Sequence, residues 1–338
     1  MQILSSAEVG NLCVQWSNSI VARDANQAEV LKADVFSKLK FMEEDDKLIA
    51  YVQLIDLKHS LQFNQSDIEE KVEKIPSQVD SMLNFYRFYY LGRHEFYNGR
   101  YKAAYSMYIK AESELESCKN VCIYEKAEFF HYLAMAYYRI DQYTLATRYV
   151  EEAIEIFVKD NQYHERLLNC YLLLGGISIE LNINEQGEMY YFKALKEADP
   201  YPATKGVILR AIGLLKLRQQ RLIEAKKYFF EALSIPEHSD SVIGVKTKTN
   251  LASILYQLND EKATELYHTA LKEATRFNQA EYIIRLKILH ISYNRLADAS
   301  FRGTARYNCY FLHQLLIISD KRSCYVGYPL TVKLIMFI

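Results

Sequence analysis

Apolar residues recur three and four positions apart through the first sixty residues, the spacing of a helix with one buried stripe. Val9, Leu12, Val14, Trp16 and Ile20 predict a first helix that closes near Asp24. Val30, Leu31, Val35, Phe36, Leu39 and Met42 predict a second. Leu48, Tyr51, Val52, Ile55 and Leu61 predict a third. The acidic turn Glu43-Glu44-Asp45-Asp46 stands where helix three begins, and carboxylates there complement the helix macrodipole. Three such stripes suit an antiparallel bundle. Residues 65–79 are more polar, include Pro76, and read as a linker.

From Phe88 onward the pattern becomes a repeat. A Leu-Gly or Leu-Ala pair is followed by a small residue twelve positions after its Gly or Ala, and by an Ala seven positions later. Gly92, Ala104 and Ala111 make the first copy, and Ala134, Ala146 and Ala153 the second. Gly175, Gly187 and Ala194 follow, then Gly213, Ala225 and Ala232. The fifth has Ala252, Ala263 and Ala270, with its inner loop one residue shorter. Small residues let two helices approach closely, and Tyr108, Tyr191 and Phe229 supply aromatic wedges beside them. This pattern resembles the tetratricopeptide (TPR) hairpin, with spacings of 38 to 42 residues between copies. The expected fold is all-α, an N-terminal three-helix bundle (1–64) followed by a TPR superhelix (80–295). Such arrays present concave binding surfaces.

Composition narrows the function classes. The 41 basic and 42 acidic residues nearly cancel, which argues against a general nucleic-acid binder. Five Pro and eleven Gly argue against a disordered or β-rich chain. Cys118 and Cys122 lie four apart without a second Cys/His pair, so the six cysteines predict free thiols in a reducing compartment rather than a zinc site. The first residues predict no signal peptide, and no apolar run before residue 300 is long enough for a bilayer. No Gly-rich phosphate loop or HExxH motif occurs. Residues 296–338 form an atypical apolar tail. Asp320 is the one acid in 301–338, against Arg302, Arg306, Lys321, Arg322 and Lys333. Two readings stand for it: a natural hydrophobic cap, or sequence read out of frame after a lesion that truncates the array.

The segment Met42-Glu-Glu-Asp-Asp-Lys-Leu-Ile-Ala-Tyr51-Val-Gln53, running on to Lys58-His59, resembles the helix-two to helix-three passage of the Rap family, the response regulator aspartate phosphatases of Bacillus. Tyr137-Tyr138 with Tyr143, and Glu152 to Phe157 with Tyr163, are similar to that family too. The resemblance covers residues 5 to about 290. It implies a cytoplasmic regulator whose bundle binds a bacterial response regulator, at its receiver or its DNA-binding domain. It also implies that a secreted, re-imported Phr-type peptide controls the regulator from the TPR face. The implied links are to sporulation and competence.

Rap phosphatases carry a Gln at the start of helix three, where its amide can orient an attacking water. The matching position here is Asp46, whose carboxylate meets an aspartyl phosphate with like charge. A simple helix-capping role for Asp46 is the competing reading. Glu44, Asp45, Asp46 and Ile49 are the expected regulator-binding residues. No cofactor of the chain's own is implied, since Mg²⁺ belongs to the receiver. In the array, Asn169, Arg210, Asn250, Tyr138 and Tyr256 are the expected peptide-binding residues, with Glu128 and His131 also counted on the groove side. Asn amides suit an extended backbone, and Arg210 suits a carboxylate. Ala211 stands where peptide-binding relatives carry an Asn. Neither direct nucleic-acid nor membrane binding is expected. A generic TPR scaffold and a peptide-responsive helix-turn-helix/TPR transcription factor remain as alternatives.

Overall fold

The computed structural model describes residues 5–42, 45–64, 67–75, 80–118 and 121–297. The tail beyond 297, on which the cap and truncation readings bear, lies outside them. The described residues are all-α, without a β-strand. They divide into two compact units, Met1–Leu173 and Leu174–Ile338.

The first unit opens with α1 (Ser6–Ala22), α2 (Ala25–Leu39) and α3 (Asp46–His59). Each begins at a side-chain cap that satisfies an otherwise unpartnered N–H. Ser5 accepts from the amide of Glu8, Asp24 from Gln27 and Asp45 from Leu48. The bundle core joins Val9, Trp16 and Ile20 to Leu31, Val35 and Ile55. Val30 and Phe36, placed on the second stripe by spacing, stand 63% and 40% exposed, because the buried arc of α2 runs through Ala28, Leu31 and Val35. A π-helical turn, Ser60–Asn64, leads to the short α4 (Ile68–Glu73), which lies inside the polar stretch between bundle and repeats. The hairpins α5 (Ser81–Tyr97) with α6 (Tyr101–Glu116), and α7 (Ile123–Arg139) with α8 (Tyr143–Phe157), follow. The bundle packs on them through α1 against α7 and α3 against α5, so bundle and first repeats form one unit.

Helix α9 (His164–Glu180) carries the chain into the second unit. That unit holds α10 (Asn184–Lys196), α11 (Pro202–Arg218), α12 (Leu222–Leu233), the single turn α13 (Pro236–Ser239), α14 (Val242–Gln257), α15 (Ala263–Arg276) and α16 (Ala280–Ala297). The repeat marks fall where the helices touch. A Cβ on Gly92 would lie 2.6 Å from Cδ1 of Tyr108, and one on Gly213 would lie 2.7 Å from Cε1 of Phe229. At Gly187 an added Cβ would meet the Gly175 carbonyl oxygen at 2.9 Å. The turn inside each hairpin holds one left-handed residue: Gly99, Asp141, Asn182, Gln220 and Asn259. Only the first is a glycine, and no fixed residue type marks the rest.

Candidate functional site: the regulator face and the inner helices

The N-terminus of α3 is pinned from two sides. Asp45, in extended backbone, accepts the amide of Leu48 at 3.0 Å. Lys47 pairs with Asp80, which itself caps α5 by accepting from Leu83. Asp45 is therefore the cap, and the capping role considered for Asp46 is not the one it has. Asp46 sits in the first turn, exposed, and its carboxylate makes no hydrogen bond or ion pair among the described residues. Ile49, three residues on and 38% exposed, shares its face. Gln53 lies on that face too, about 10 Å further along the axis. Glu44 lies outside the described residues. The face thus offers a carboxylate beside an apolar side chain. A carboxylate only accepts hydrogen bonds, whereas an amide both donates and accepts.

His59, at the far end of α3, is unavailable for proton transfer to a partner. Its ring is buried between Trp16, whose indole Nε1 donates to Nδ1 at 3.1 Å, and Glu29, 3.0 Å from Nε2. Indole is donor-only, so Nδ1 carries the lone pair and Nε2 the proton. Burial lowers the His59 pKa, against the pull of Glu29.

Beside it lies a charged core that sequence reasoning missed. Lys58 is fully buried and donates to Ser17 Oγ and Glu125 Oε1, both at 2.8 Å. Glu125 also accepts the hydroxyls of Ser17 and Tyr86. Glu128 accepts from Arg166 at 2.5 Å, with Lys58 at 3.6 Å and Arg93 at 3.7 Å. Gln62 receives both guanidiniums at 3.2 Å, and Arg166 donates to the Val21 carbonyl at 2.7 Å. Burial alone would raise the Glu128 pKa, but Arg166, Lys58 and Arg93 outweigh it and hold the carboxyl at about 2. Glu128 is accordingly a structural anion, not a groove residue. His131 is buried as well, its pKa lowered to about 3 by burial and then by Arg166 and Arg23. The available signal was an acidic pair, Glu125 and Glu128, three residues apart on one face of α7.

The expected peptide residues fall in both units. In the first, Tyr138 is buried with its ring 5.9 Å from Tyr143, and Asn169 donates its amide N–H to the Glu165 carbonyl at 2.7 Å. In the second, Arg210 is buried on α11 and Asn250 is half-buried on α14. Tyr256 holds His290 through its hydroxyl at 2.9 Å and stacks on Tyr293, so its polar tip is engaged with α16. Ala211 is buried beside Arg210. No cluster of three or more His, Cys, Asp or Glu suited to a metal occurs among the described residues. None of their helices is long and apolar enough to cross a membrane.

Residues 3–64 match the family model of the N-terminal region of response regulator aspartate phosphatase H. Response regulator aspartate phosphatase E of Bacillus subtilis is 26% identical over 312 residues, covering 87% of this chain and 82% of that protein. A crystal structure of a Rap protein complexed with Competence and Sporulation Factor superposes with a TM-score of 0.79 at 25% identity, covering 94% of this chain and 89% of that one. The chain belongs to the Rap family. A further relative, the type II methyltransferase M.CeqI of Rhodococcus hoagii, is 36% identical over 302 residues, 86% of this chain. The chain spans only 57% of that protein's length. The part of this Rap chain that is described has no sheet to carry a nucleotide cofactor. As in other repeat proteins, neighbouring hairpins within a unit touch, through α6 against α7 in the first and through α10 against α11 and α12 against α14 in the second.

Proposed function

We propose that this chain is a cytoplasmic, peptide-controlled regulator of two-component signalling. The bundle binds a bacterial response regulator through the exposed start of α3, and the inner helices of the repeats bind a short Phr-type peptide. The observation that carries this reading is the match of the Rap N-terminal model to the whole three-helix bundle, joined to TPR hairpins. The similar Rap structure solved with Competence and Sporulation Factor supports the peptide half.

Asp46 sets the mode of action. A water-orienting amide is absent from the start of α3, and an exposed carboxylate adds repulsion toward an acidic, phosphorylated receiver. The reading is therefore sequestration of the regulator, with Mg²⁺, where needed, supplied by the receiver. The test is dephosphorylation of a panel of phosphorylated Bacillus receivers by the native chain and by Asp46→Gln. We expect turnover by the variant alone. Turnover by the native chain would overturn sequestration. Silence from both chains, with no capture of receiver or DNA-binding domains, would overturn the regulator reading itself.

A further inference from the structure

The last described helix buries one face and leaves another open. α16 packs on α14 and α15 through Tyr282, Leu286 and Leu289, all buried. Away from them it carries Ile284, Ile288 and Ile291, four and three positions apart, the spacing of a second apolar stripe. Ile284 and Ile291 are exposed and Ile288 is half-buried. Ile291 and Ser292 lie forty positions after Leu251 and Ala252, within the repeat spacing. In the earlier copies Leu133, Leu174, Ile212 and Leu251 hold that place and are buried, whereas Ile291 stands 50% exposed. An array that ended on such a face would be prone to associate.

The sequence beyond α16 carries the marks of a covering segment. In the fifth copy Ala263 follows Ala252 by eleven positions, and Tyr267 follows it by fifteen. Gly303 and Tyr307 follow Ser292 by the same eleven and fifteen. Five residues separate the end of α14 from Ala263, and five separate the end of α16 from Gly303. Tyr307, Phe311, Leu315 and Ile318 recur four, four and three positions apart, a stripe of large apolar side chains at helical spacing. The correspondence stops at Tyr310, which stands where the fifth copy has Ala270. Tyr267 shows what a tyrosine at this mark does: it is buried in the cluster that holds Ala252 and Leu286. So short a tether gives the segment an effective concentration of about millimolar, which favours it over a second copy of the chain.

We propose that residues 303–318 of this chain dock on the open face of α16, with Tyr307 against Ser292 and Phe311 over Ile288. The two runs are antiparallel, as in the fifth copy, and close a sixth hairpin. The docking draws these residues into the array and leaves 319–338 as the atypical tail.

The test places a benzophenone-bearing phenylalanine analogue at position 307 of the full chain, so that an aromatic ring replaces an aromatic ring. After irradiation, adducts are mapped by mass spectrometry. We expect them within one chain, on residues 285–293. Adducts formed only between chains would give the face to a second copy and overturn the proposal. Adducts elsewhere in the chain, or none, would overturn it too. A second readout needs no label. Tyr307→Ala should lower the thermal midpoint by about 3 °C or more, while Tyr325→Ala, outside the docked segment, should leave it within about 1 °C. Equal midpoints for the two variants would show that Tyr307 is not held, against the proposal.

Discussion

Single side chains in the first unit differ sharply in what they support. Glu128 is surrounded by Lys58, Arg93 and Arg166, all buried, so removing its charge leaves Arg93 and Arg166 without a carboxylate, while Lys58 keeps Glu125. Removing one partner of a buried ionic cluster costs about 3–5 kcal/mol. Glu128→Gln is therefore expected to lose stability on that scale in urea unfolding. Ile49→Ala, on the exposed start of α3, should change it by less than about 0.5 kcal/mol. Near-equal effects would show that Glu128 is not the anion its neighbours require. This cluster was not legible in the sequence, because its partners come from positions as far apart as Lys58 and Arg166. A lone Glu on a helix predicts a solvated face until tertiary neighbours are known. The Asp46 position was legible, since only its place at the start of helix three was needed. Its capping role was misassigned by one residue, because either adjacent aspartate fits the pattern.

Helix pairs were the most legible level. A glycine one helix away from an aromatic ring is a contact that spacing alone predicts, and Gly92 with Tyr108 and Gly213 with Phe229 meet that expectation. The left-handed turn residues were only partly legible: Asp141, Asn182 and Asn259 are of the types that tolerate that region, whereas Gln220 is not. At Gly175 a Cβ would lie 2.5 Å from Cδ1 of Tyr191 and 3.1 Å from the Gly187 carbonyl oxygen. The ring is held near its base and the carbonyl is backbone, so neither yields freely. Gly175→Ala is expected to cost about 1–3 kcal/mol by overpacking, read as a lower thermal midpoint. Pairing it with Tyr191→Leu should recover part of that loss. A fully tolerated single substitution would mean that α9 and α10 have room to separate.

Across the whole molecule, stability has a direction with pH. His59 and His131 in the first unit and His238 in the second are buried, and each has its pKa lowered by burial first. The unfolded imidazole titrates near 6.5. Below that value the unfolded chain takes up protons that the folded chain refuses, so stability present above about pH 6.5 is lost as pH falls. For His131 and His238, at about 3 and about 4, the loss between about pH 7.5 and about pH 5.5 is roughly 1 kcal/mol each. Urea midpoints at the two pH values measure it, and a midpoint that rises on acidification would contradict the assignment. Net charge conceals a local asymmetry: a formal balance of −1 coexists with α11 and α14, whose charged side chains are all cations.

Trp16 is the one tryptophan of the chain, and its indole N–H is fixed to His59 at the heart of the bundle. Its intrinsic fluorescence is thus a label that the molecule already carries. Emission excited at the indole reports the bundle alone, through the dryness of its surroundings and the protonation of one imidazole. Adding a response-regulator domain or a peptide to unlabelled protein would then show, in real time, whether either ligand is felt where α1 meets α3.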